Sequence, residues 1–415
     1  MTPDIYNREL SFSEKCFSLT NHFPNKKRLC FLGLSFYWER TVKLGPVVNN
    51  RVVFWTSSDT FNCNPKYIAQ KLKELNPNVE IFWIVSKKVE KSQFPSWIRL
   101  IEERKKAVEV LGTAKVIVVN ERMIKWIKYG FQKQPGQFIV QTWHGSLGIK
   151  KTGDDRTDTS QLVKNRNKFD SEQIDYICSN GVYCTDLYSR IFSSCGRIFE
   201  TGLPRNDIFF HQDKHDIRKS LNISEATKIL LYAPTCRENR EADDFCNVNF
   251  NLVTKALSER FGGEWVILYR KHYLSKLSLK HLESVYDVSG FPDIQELLNI
   301  SDVVMTDYSS CIYDFVLTKR PGFIYAEDRE EYENGRGLYY PLNDTPFPVA
   351  SNEEELINNI KSFDSTHYHQ NVKIFLKNKG VREDGSASEK MAELINCCIA
   401  GKPCEAEKMI ADLFA

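Results

Sequence analysis

Two stretches of the chain hold side chains suited to moving a phosphoryl group. In 141–151 (QTWHGSLGIKK) an apolar run ends at Trp143 and is followed by His144 and Gly145. An unperturbed histidine titrates near neutrality, so a His in a strand-exit loop is suited to act as a general base. Gly145 allows close backbone approach, and Lys150 and Lys151 add positive charge nearby. In 303–317 (VVMTDYSSCIYDFVL) an apolar strand runs into Thr306, Asp307 and Tyr308, and Ser309 and Ser310 open an amphipathic helix. Free amides at a helix start favour a phosphate, and two hydroxyls add donors without bulk. Each stretch also has a plainer reading: a structural histidine in the first, and Asp307 or Ser309 as a simple helix cap in the second.

Cations gather at further strand exits. The run 229–237 (ILLYAPTCR) ends in Thr235 and Arg237, and 266–272 (VILYRKH) ends in Arg270, Lys271 and His272. Positive groups held close together repel unless an anion sits among them, so these residues form a candidate phosphate clamp. A solvated loop is the alternative, more so for Lys271. GLPRND at 202–207 offers Arg205 between the two halves of the chain, and an ordinary Pro–Asn turn accounts for it equally well. The segment 122–133 (RMIKWIKYGFQK) carries four cations and no acid, interleaved with aromatics. Lys125, Trp126 and Lys128, with Lys150, fit an anionic membrane surface or acceptor chain; a helix that buries its aromatic face fits too.

No metal site is expected. The 12 cysteines include no CxxC pair. No DxD-like pair stands at a strand exit, and Asp154–Asp155 and Asp243–Asp244 lie in polar loops.

Strands and helices must bring these stations together. Apolar runs at 29–34, 52–55, 81–85, 116–119, 138–142 and 174–178 predict strands, with helices over 65–75 and 182–192. After a polar break at 209–228 the pattern restarts, with strands at 229–233, 265–270, 303–305 and 322–325 and helices at 250–261, 294–300 and 309–317. Short apolar strands between amphipathic helices imply an α/β fold of two parallel-sheet halves facing a cleft. Ligands of such sheets bind beyond the carboxyl ends of the strands. The expected division is an extension over 1–28, domains over 29–213 and 214–395, and a tail over 396–415. The 415 residues suit about two domains. Lys plus Arg total 56 against 54 acids, a balance that argues against a nucleic-acid partner. Apolar runs are too short to span a bilayer and the first residues lack a signal-peptide pattern, so a soluble cytoplasmic protein is expected.

As a set, the stations resemble the CDP-glycerol:poly(glycerophosphate) glycerophosphotransferase family, which builds teichoic acids and related capsules. The matching stretches are FNCNPKYIAQKL from Phe61, QTWHGSLGIKKTG from Gln141, GLPRND from Gly202 and YAPTCRE from Tyr232. They continue with YRKHY from Tyr269, FPDIQELLNISDVVMTDYSSCIYDF from Phe291 and EEYENGRGLYY from Glu330. Their order and spacing match from about residue 29 to 395. The resemblance implies a GT-B fold, a CDP-glycerol donor in the second half and an acceptor entering from the first. It implies His144 as base, His272 and Arg270 at the donor diphosphate, and Ser309 and Ser310 as diphosphate ligands. Asp307, Arg237 and Arg205 fall on motif positions as well. Ser146 and Cys236 depart from the Thr and Trp common in the family. The expected partners are CDP-glycerol and a poly(glycerol phosphate), lipid-linked or glycan acceptor, at the inner face of the cell membrane, with no cofactor.

Three other functions fit parts of this pattern. CDP-ribitol could replace CDP-glycerol. A GT-B nucleotide-sugar glycosyltransferase would use an acid such as Glu327 or Asp328 on sugar hydroxyls. A non-catalytic protein could bind anionic polymer or membrane, although the presence of both His144 and His272 argues against it.

Overall fold

The computed structural model describes residues 45–156, 159–211, 215–235, 248–271, 284–335, 337–402 and 408. Among them, β1 (Val48–Trp55), β2 (Glu80–Ile84), β3 (Ile98–Ile101), β4 (Ala114–Val119), β5 (Phe138–Gln141), β6 (Tyr176–Cys178) and β7 (Arg197–Phe199) form one sheet. Its order is β3-β2-β1-β4-β5-β6-β7, with every pair parallel. A second parallel sheet holds β8 (Lys228–Tyr232), β9 (Trp265–Tyr269), β10 (Val285–Asp287), β11 (Val303–Thr306), β12 (Gly322–Tyr325) and β13 (Val349–Ala350). Its order is β10-β9-β8-β11-β12-β13. Two such domains facing each other across a cleft make a GT-B type fold.

Parallel strands covered on both faces need unbroken apolar runs, and β1 shows why. Val52 and Phe54 point into one core with Ile68, Ala69 and Leu72 of the helix Cys63–Leu75. Val53 and Trp55 point into the other core, with Ala107, Val108 and Leu111 of the helix Arg104–Thr113. The expected strands and helices in the described regions are present, with ends shifted by a few residues. The exception is 309–317, which divides into a short helix Cys311–Phe315 and a 3-10 turn Val316–Thr318. The apolar-run rule passed over β3, β7, β10 and β13, each of two to four residues. The expected strand at 29–34 and the extension 1–28 lie outside the described residues.

The division of the chain differs from expectation at its far end. The helix Ala387–Ile399 packs on the first sheet, placing Met391, Ala392, Leu394, Ile395 and Cys398 in one core with Val52 and Phe54. A boundary at 395–396 therefore cuts through a helix that belongs to the first domain. Asp207 holds the start of that helix, accepting from the amides of Ala387 at 3.1 Å and Ser388 at 2.7 Å. Most of the expected tail lies outside the described residues.

The two domains are also tied beside the cleft. Lys66, at the start of the helix Cys63–Leu75, reaches the second domain and pairs with Asp293 at 3.0 Å and with Glu296. Tyr67 donates to Asp293 at 2.9 Å. Burial alone would lower the Lys66 pKa, but the two carboxylates outweigh it and hold the ammonium charged.

Candidate active site

His144 is the third residue after β5, at the carboxyl edge of the first sheet. Its Nδ1 lies 2.7 Å from the carbonyl of Asn120, the residue after β4. A carbonyl can only accept, so Nδ1 carries the proton, and in the neutral ring Nε2 keeps its lone pair. The side chain is exposed at the cleft. In that arrangement the backbone sets the tautomer and leaves Nε2 able to accept a proton. Asn120 was not among the sequence candidates, although the strand-exit rule that selects His144 also points to it.

The backbone around His144 is held under strain. Trp143 has φ of +51°, which a bulky side chain adopts only when its surroundings force it. Gln141 accepts from its amide at 2.8 Å, Asn64 donates to its carbonyl at 3.2 Å, and its ring meets Phe192 edge-on at 5.1 Å. The loop then crosses to the second domain. Lys150 forms an antiparallel bridge with Leu338, Tyr339 donates its amide to Ile149, and the Tyr340 hydroxyl donates to Leu147. A Cβ at Gly148 would stand 3.2 Å from the Cβ of Ser310, so glycine lets this loop lie against the serine pair. The histidine loop and the serine pair, 162 residues apart in sequence at Gly148 and Ser310, thus lie against each other. Lys150 belongs to this seam and not to the 122–133 patch, and its charge is felt by the buried Cys311 thiol beside Ser310.

Ser309 and Ser310 are half-buried after β11, Ser310 capping the helix Cys311–Phe315 through its backbone position with no side-chain cap bond. Arg270 sits at the end of β9, donating to the carbonyls of Phe291 at 2.5 Å and Val288 at 3.4 Å. No carboxylate among the described residues lies within 4 Å of it, and burial pushes its pKa below the usual arginine range, with Asp293 offsetting only part. A diphosphate here would supply the missing negative charge. Thr235 lies at the exit of β8 on the same edge. His272 and Arg237 fall outside the described residues.

Three of the sequence candidates have different roles from those expected. Asp307 accepts from the amides of Thr235 at 2.9 Å and Tyr308 at 2.6 Å. Its carboxylate therefore fixes two strand-exit loops to each other, and its charge would repel a phosphate. Arg205 is 4% exposed. It donates to the carbonyl of His144 at 2.8 Å and to the Cys63 sulfur at 3.3 Å, and it pairs with Asp314 at 2.9 Å. Arg205 thus ties the backbone of His144 to the helix behind Ser309 and Ser310. Asp314 was in view in the sequence but not selected. Trp126 is 4% exposed and packs edge-on against Trp55 at 5.6 Å, so it is core and cannot meet a membrane or acceptor. Lys125 and Lys128 remain exposed beside it.

Among the described residues, no group of three His, Cys, Asp or Glu is placed to hold a metal. No helix there is long and apolar enough to cross a membrane.

A model of the CDP-glycerol:poly(glycerophosphate) glycerophosphotransferase family matches residues 38–396. The teichoic acid glycerol-phosphate transferase of Staphylococcus aureus (strain NCTC 8325 / PS 47) is 31% identical over 375 residues, covering 85% of this chain and 94% of that one. The teichoic acid poly(glycerol phosphate) polymerase of Bacillus subtilis (strain 168) is 30% identical over 371 residues, covering 84% of this chain but 49% of the larger relative. A solved structure of the wall teichoic acid polymerase TagF superposes with a TM-score of 0.76 at 26% identity, covering 94% of this chain and 99% of that one.

Proposed function

This chain belongs to the CDP-glycerol:poly(glycerophosphate) glycerophosphotransferase family, and from that premise we propose how its site works. The enzyme moves glycerol phosphate from CDP-glycerol to a hydroxyl of a (poly)glycerol-phosphate or glycan acceptor. The acceptor oxygen bonds to the glycerol-bearing phosphorus, its proton passes to Nε2 of His144, and the bond to CMP breaks with the electron pair leaving on CMP. Ser309, Ser310 and Arg270 neutralise charge on the phosphoryl oxygens, where fixed donors contribute most. His272 is expected beside them. The observation that supports this reading is the contact between the His144 loop and the serine pair.

Glycerol is favoured over ribitol because both curated relatives above are named for glycerol phosphate. The donor site works without a metal, its positive charge coming from side chains and amides. Catalysis takes place at the inner face of the cell membrane on a lipid-linked chain. CMP release tests these points together, with CDP-glycerol, CDP-ribitol and UDP-glucose offered in turn beside a glycerol phosphate acceptor, in excess chelator. Turnover of CDP-glycerol alone is expected. Turnover restored only by magnesium would refute the metal-free site, and a preference for either other donor would refute the substrate assignment.

A further inference from the structure

The carboxyl edge of the first sheet carries a cationic surface beyond the reacting groups. Arg104, Lys105 and Lys106 open the helix after β3, and Lys125 and Lys128 lie on the short helix Ile124–Lys128 after β4; all five are exposed. The two groups adjoin, since the Arg104 guanidinium stacks 4.1 Å over Tyr129, which meets Trp126 at 5.9 Å. Helix dipoles disfavour cations in a first turn, so the three at 104–106 are placed against their own helix. The acids nearby are mostly occupied locally. Glu102 pairs with Lys91 at 2.6 Å, Asp59 accepts from the Trp55 indole at 3.0 Å, and Glu121 accepts from the amide of Arg122 at 3.0 Å. Glu103 is exposed.

We propose that these five cations form a track for the already assembled part of the acceptor, a phosphodiester polyanion, whose free end reaches His144. The proposal rests on the function argued above. The track begins at Lys125, five residues from Asn120, the residue that holds His144. From β5 to β3 is four strand spacings, roughly 19 Å at about 4.8 Å each. One glycerol phosphate unit is too short for that span, and several in series can follow it. A membrane occupant fits less well. Among the described residues the large exposed apolar side chains are Leu75, Phe169, Val182, Phe210, Leu252, Tyr286 and Ile374; of these, Phe169 alone lies on a helix, Gln161–Ser171, that packs against Ile124–Lys128. Interfacial binding needs an apolar side to insert, and here Trp126 is buried.

The test compares wild type with the quadruple variant Lys105→Glu, Lys106→Glu, Lys125→Glu, Lys128→Glu. The readouts are kcat/KM for an acceptor of one glycerol phosphate unit and for chains of several, and anisotropy of labelled poly(glycerol phosphate), which needs no turnover. Wild type should favour the longer chains, and the variant should lose roughly tenfold or more of that preference and of polymer affinity. Added salt should erode the wild-type preference in the same way. A length preference that survives in the variant overturns the track. So does a loss confined to co-sedimentation with anionic vesicles, which would assign the face to membrane. If the quadruple variant melts early, Lys105→Glu with Lys106→Glu carries the same comparison. Polymer binding without CMP release from CDP-glycerol would leave the track standing and refute the function.

Discussion

His144→Asn should lower CMP release from CDP-glycerol by about 10²–10⁴-fold, the usual cost of losing a general base. Asparagine can still donate to the Asn120 carbonyl from near the position of Nδ1, so the loop should keep its conformation. What it cannot do is accept a proton at the position of Nε2. Because the proton moves only as the acceptor attacks, kcat and kcat/KM should fall together while the donor KM holds. Steady-state kinetics on both substrates, with thermal melting as a fold control, would show this. Activity within a few-fold of wild type would remove His144 as the base.

Arg205→Met is expected to cost about 3–5 kcal/mol of stability, because Asp314 would be left as a buried carboxylate with no counter-charge. Replacing both partners, Arg205→Met with Asp314→Leu, should recover most of that loss, since a buried ion pair is often no better than apolar packing of similar volume. Activity should not recover with it. The His144 carbonyl would still lack the donor now 2.8 Å away, and a small displacement of a catalytic group costs about 10- to 100-fold. Urea unfolding and CMP release on the same three proteins separate the two effects. A double variant with wild-type turnover would reduce Arg205 to a stabilising contact.

The sequence made the strands and the two sides of the site legible for physical reasons. A strand buried on both faces must be apolar throughout, so β1, β4, β8 and β11 announce themselves, whereas β13, with two residues, has too little length to do so. His144 and Ser310 were selected because ligands collect at strand exits. Arg205 was found for the wrong reason. Its type suited a phosphate, and nothing local marks Asp314, 109 positions away, as its partner. Trp126 shows the same limit: alternating cations and aromatics do not reveal which face turns inward. The helix Ala387–Ile399 is amphipathic in sequence, which says that it has a partner without saying which sheet.

That helix has a consequence for how the protein is made. The first domain's core lacks one wall until Ala387–Ile399 has been synthesised, whereas the second sheet and the helices Glu353–Lys361 and Ser365–Asn378 that share its core are complete by Asn378. Domains usually mature in the order of their synthesis; here the half begun first should finish last. A ribosome-bound chain halted before Ala387 should protect its second sheet from protease and leave the first open to cleavage, and equal protection of both would refute this order. Until that helix docks, the first domain stays unfinished beside a completed second one, so its core closes only long after His144 has been made.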